Sequence, residues 1–72
     1  MTRTAIRLDT LGDVNEFVEV MSNVKDQVWL ADDDGNRVSA KSLLGALYSM
    51  EWTHIYCYCN SNITAELMPW MI

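Results

Sequence analysis

Few side chains in this 72-residue chain have the types and spacing for chemistry: one histidine, His54, two cysteines, Cys57 and Cys59, and one acidic run, Asp32-Asp33-Asp34. Histidine with cysteine is zinc-ligand chemistry, but Cys57 and Cys59 are two apart in a strand-forming run and so share one face, with His54 on the other by parity. No tetrahedral set closes. A bridge between two cysteines so close along an extended segment would strain the backbone, so reduced core thiols are expected. The acidic run lacks the remaining oxygen ligands of a calcium loop and reads as solvated charge in a turn. No nucleophile beside a base, no carboxylate pair in an apolar setting and no glycine-rich phosphate loop can be assembled. The residues therefore predict no enzyme, no cofactor and no metal.

Composition narrows the partners. With 50% apolar residues and 21% charged, the chain reads as one small domain over residues 1–72. Ten acidic against five basic residues give a net charge of −5, without the broad positive surface that nucleic acid or an anionic membrane requires. Apolar runs such as Val28-Trp29-Leu30-Ala31 are far shorter than the roughly 20 residues of a bilayer span. The start, Met1-Thr2-Arg3-Thr4-Ala5-Ile6, has no continuous apolar stretch of the secretory kind, and a cytoplasmic location is expected.

The elements that must position these side chains follow from the apolar period. Alternation over Thr4–Asp9, with Ile6 and Leu8 on one side, predicts a first strand. From Asp13 the stripe Val14, Phe17, Val18, Met21 predicts a helix opened by Thr10 or Gly12 and stopped at Asn23. Val28 and Leu30 share a face of a second strand, and Asp34-Gly35 marks a hairpin into a short third, Arg37-Val38-Ser39. Ser39 or Ala40 hands over to a second helix through Leu43, Leu44 and Leu47, in which Gly45 permits a close approach. Thr53 to Asn60 predicts a fourth strand, with Ile55, Cys57 and Cys59 on one face and His54, Tyr56 and Tyr58 on the other. Pro69 should break the last helix, which begins near Ile63. The order is βαββαβα, and the class is α+β.

That order, together with Gly35-Asn36-Arg37-Val38-Ser39-Ala40-Lys41-Ser42-Leu43-Leu44-Gly45, resembles the HPr family, small phosphocarriers of the bacterial sugar phosphotransferase system. The family signature there runs G-[KN]-x-V-[NS]-A-K-S-I-M-G. The resemblance implies an HPr-like open-faced β-sandwich, a four-stranded antiparallel sheet in the order 1-4-2-3 with helices on one face. The family carries its phosphoryl group on a histidine in a Gly-[Leu/Ile]-His-Ala-Arg-Pro-Ala loop after the first strand. Here that region reads Asp9-Thr10-Leu11-Gly12-Asp13-Val14, with neither histidine, arginine nor proline, and two carboxylates stand where a dianion would dock. The resemblance thus implies a member without phosphocarrier activity, and His54 reads as a solvated surface histidine.

A second family position is kept. In Gram-positive relatives the serine of this motif is phosphorylated by a dedicated kinase, and the modified protein docks on a transcriptional regulator; Ser42 matches it, with Lys41 adjacent and Leu43, Leu44 and Leu47 as the implied apolar contact. The plainer reading is that Ser42 caps a helix whose leucines cover the sheet. A separate feature lies outside the motif. By parity Trp29, Tyr56 and Tyr58 point away from the helix-covered face and, if strands two and four are neighbours, meet as a cross-strand cluster near His54. Such a cluster suggests a contact with a protein partner or with a second copy as a homodimer. The plainer reading is strand propensity alone. Trp52, Trp70, Met68 and Met71 add apolar side chains near the end, some of them destined for the core. Two expectations result: a regulatory HPr-like binding protein switched at Ser42, or an interaction module that uses the aromatic sheet face and is unrelated to sugar transport.

Overall fold

Segments with a two-residue apolar period become strands, and those with a three-to-four-residue period become helices. The structure, a computed structural model, describes residues 2–72. The strands are β1 (Thr2–Ile6), β2 (Val28–Ala31), β3 (Arg37–Ser39) and β4 (Ile55–Cys59). The helices are α1 (Leu11–Ser22), α2 (Leu43–Ser49) and α3 (Thr64–Leu67), the last running into a 3-10 turn at Met68–Trp70. All strand pairs are antiparallel, in the order β1-β4-β2-β3. The result is a small α+β domain with an open four-stranded sheet and three helices.

One sheet face carries the core. Ile6, Val28, Leu30, Ile55, Cys57 and Cys59 are buried there together with Val14, Phe17 and Met21 of α1, Ala46 of α2, Leu67 of α3 and Trp70. Phe17 and Trp70 meet edge to face, with centroids 5.2 Å apart. Of the C-terminal apolar side chains, Trp70 is therefore core and Trp52 packs at its margin, whereas Met68 and Met71 are exposed. Both cysteines are free and buried; burial, with Cys59 alongside, pushes the Cys57 thiol up to about 12.

Element boundaries differ from the sequence expectation where tertiary partners run out. The first strand occupies Thr2–Ile6 rather than Thr4–Asp9, because its partner β4 begins at Ile55, opposite Ile6. Leu8 is still buried, but the chain has already turned toward α1. The helix starts at Leu11, one turn ahead of its apolar stripe, because Thr10 caps it. The Thr10 hydroxyl accepts from the Asp13 N–H at 3.0 Å, and the Asp13 carboxylate accepts from the N–H groups of Thr10 and Asp9, each at 3.0 Å. The fourth strand is Ile55–Cys59, shorter than Thr53–Asn60, so His54 lies just before it rather than within it.

The hairpin turn uses its acidic residues structurally. The Asp32 carboxylate accepts from the N–H groups of Asp34 (3.0 Å) and Asn36 (2.8 Å) and from the Asn36 side-chain amide (2.8 Å), while Gly35 takes a positive φ of 89°. The second helix begins only at Leu43, after the tight turn at Ala40 and Lys41. Gly45 lets it sit against β3: a Cβ there would stand 3.0 Å from the Val38 Cβ and 3.2 Å from the Ser39 carbonyl oxygen. No helix among the described residues is long and apolar enough to cross a membrane.

Candidate functional site

Two surfaces stand out: the corner where β3 passes into α2, and the sheet face that no helix covers. At the corner, Ala40 is buried, and its N–H donates to the Val28 carbonyl at 2.9 Å, pinning the turn to β2. Ser42 then caps α2. Its side-chain oxygen accepts from the Gly45 N–H at 3.1 Å, its carbonyl accepts from the Ala46 N–H at 2.9 Å, and the residue is exposed. The Lys41 ammonium donates to the Val24 carbonyl, so this cation ties the loop after α1 to the corner instead of standing free beside Ser42.

The leucine patch divides. Leu43 is 45% and Leu44 79% exposed, whereas Leu47 packs against the core. A seven-residue helix has one side on the sheet, and Ala46 and Ser49 occupy it, with Leu47 at its margin. Tyr48, four residues after Leu44 and so on the same side, is exposed and meets Trp52 edge to face at 6.0 Å. The sequence reading missed it, although the i, i+4 spacing from Leu44 was there to find.

The open sheet face is built in two rows across the strands. One row runs Arg3, Tyr58, Trp29, Ser39; the next runs Ala5, Tyr56, Ala31, Arg37. Trp29 and Tyr58 are thus direct cross-strand partners, while Tyr56 stands between two alanines. All three rings are half-buried. Each outer guanidinium leans inward onto a ring, Arg3 over Tyr56 at 3.9 Å and Arg37 over Trp29 at 4.4 Å. These arginines were also missed, and their strand parity was the available signal. Ala31 floors a recess of about 220 Å³ walled by Trp29, Tyr58 and Arg37.

At the margin of this face His54 Nδ1 lies 2.6 Å from Asp33 Oδ2, and the His54 ring is 6.3 Å from that of Tyr56. Within the acidic run, Asp33 is therefore paired at the surface and Asp32 is bound in the turn, while Asp34 stays exposed. His54, and after it Tyr56, hold the Asp33 carboxyl below the usual aspartate range, and the Asp33 carboxylate in turn raises the Tyr56 hydroxyl. Among the described residues no group of three or more His, Cys, Asp and Glu side chains is arranged to hold a metal ion.

Fold and surfaces together define a small α+β domain whose antiparallel sheet is helix-covered on one face and open on the other. No family model, no curated protein and no solved structure matches the chain.

Proposed function

We propose that this chain is an HPr-like protein without carrier chemistry that acts by docking a protein partner at the α2 corner, with Ser42 as the modified position that switches the contact. The observation that carries this reading is the exposure of Leu43 and Leu44 beside an exposed Ser42. Leu43 and Leu44 form an adjoining exposed apolar pair beside the serine, the kind of patch that a partner interface buries. The strand order β1-β4-β2-β3 supports it as well, being the order that the resemblance implies. So does the start of α1, where a carrier would hold its phosphate: the Asp13 carboxylate already occupies the N–H groups of Asp9 and Thr10. In this reading the protein works in a bacterial cytoplasm, its partners are a serine kinase and a transcriptional regulator, and it catalyses nothing.

Incubation with an HPr kinase and ATP, read by intact mass, tests the switch. One phosphate should be added to the native chain and none to Ser42→Ala; an unchanged native mass would overturn it. A second reading, in which the open sheet face is the contact, is favoured by the half-exposed Trp29–Tyr58 pair with no helix over it.

A further inference from the structure

The second reading leaves the occupant of the sheet face open, and charge selects it. The chain carries a net charge of −5, yet Arg3 and Arg37, two of its five basic residues, lie on this one face. The carboxylates are mostly elsewhere or engaged. Glu16 and Glu19 are exposed on α1 and Glu66 on α3, in the layer behind the sheet, while Asp13 and Asp32 are bound within a cap and a turn. Asp33 borders the rings, where His54 holds it and the Arg3 charge also acts on it.

A guanidinium stacked on a ring keeps its in-plane N–H donors free for a carboxylate. Among the described residues neither the Arg3 nor the Arg37 guanidinium has a carboxylate within ion-pair distance; the pairs present are Arg7 with Asp9 and His54 with Asp33. The Ala31 recess lies between Trp29 and Tyr58 with the Arg37 head at its rim, which suits an apolar side chain adjoining a carboxylate.

We propose that this face binds an acidic polypeptide segment that seats an apolar side chain in the Ala31 recess and carboxylates on Arg37 and Arg3. The two arginines stand on opposite edge strands, three interstrand steps apart and two residues out of line along the strands, about 16 Å at the backbone. Positions i, i+2 and i+4 of an extended segment lie on one side and span about 13 Å, and both arginine side chains lean inward over the rings to meet them. The matching pattern is acidic, spacer, apolar, spacer, acidic. A basic segment is repelled by both arginines. A two-fold stack of this face on itself brings four guanidiniums together. A continuous polyanion such as single-stranded nucleic acid must run past the Asp32-Asp33-Asp34 turn and the negative remainder of the molecule.

The test is a nitrogen-15 amide titration of the full chain with the peptide acetyl-Gly-Glu-Ser-Leu-Ser-Glu-Gly-amide. Its controls are the same peptide with both Glu replaced by Lys, the same peptide with Leu replaced by Ser, and an oligothymidylate. Shifts should centre on Trp29, Ala31, Arg37 and Tyr58. Arg37→Gln and Arg3→Gln, both surface changes checked for folding by circular dichroism, should each weaken binding by about tenfold. The Lys and Ser peptides should bind more weakly than the parent. Equal binding of the Lys peptide, binding of the oligonucleotide in place of the peptide, or shifts confined to α2 would overturn the proposal. Concentration-dependent self-association with the same shift pattern would overturn the acidic occupant while leaving the face an interface. Absence of shifts with every ligand and at every protein concentration would remove both.

Discussion

Asp33 joins three features that the sequence lists separately: the acidic run, the lone histidine and the outward tyrosines. Its carboxylate contacts His54 Nδ1 at 2.6 Å and lies beside Tyr56, and its acidity is raised accordingly. Because the folded-state pKa is depressed, the associated stabilisation is present above the ordinary aspartate value of 3.8 and is lost as pH falls through the lower folded value. A carbon-13 titration of the Asp33 carboxyl should give a midpoint below 3.8 in the native chain, moving up in His54→Ala; an unchanged midpoint would show that the histidine is not the cause. Parity assigned the faces of Ile55, Cys57, Cys59, Tyr56 and Tyr58 from sequence alone. It overran the strand at His54, which lies one residue ahead of the ladder yet still sits at the margin of the outward face beside Tyr56.

Each helix illustrates a local code with a tertiary limit. The start of α1 is a capping box spelled by Thr10 and Asp13, and both halves of it form. Thr10→Ala should cost about 1 kcal/mol, read as a lower urea midpoint with an unchanged slope. In α2 the run Leu43, Leu44, Leu47 was expected to face a partner together, and Leu47 instead packs against the core. A helix of seven residues offers less than two turns of periodicity, and its roll is set by the approach of Gly45 to β3. Gly45→Ala gains helix propensity but meets the Val38 Cβ at 3.0 Å and the Ser39 backbone oxygen at 3.2 Å, atoms that cannot swing away. The net effect should be a loss of about 1–2 kcal/mol in chemical denaturation, and a stabilised variant would show that α2 can shift outward. Pro69 acted as the sequence implied, ending α3 after four residues and passing the chain into a 3-10 turn.

A 72-residue domain whose cysteines are free depends on one layer of side chains between sheet and helices. Its total stability should be only a few kcal/mol. Phe17 is fully buried in that layer and meets Trp70 edge to face. Truncating it costs about 3–5 kcal/mol, so Phe17→Ala should be largely unfolded at 25 °C by circular dichroism. A cooperative native-like melt would instead reveal a core with reserve. Composition, period and turn chemistry, which are properties of neighbouring residues, were enough to give the element order, the buried faces of β1, β2 and β4, the hairpin and the Pro69 break, and they narrowed the start of α1 to Thr10 or Gly12. Only the tertiary structure decided which outward side chains meet: Arg3 on Tyr56 and His54 on Asp33 are contacts between segments distant in the chain, and Arg37 on Trp29 closes across the hairpin. Their geometry follows from strand order and register, which local sequence does not encode.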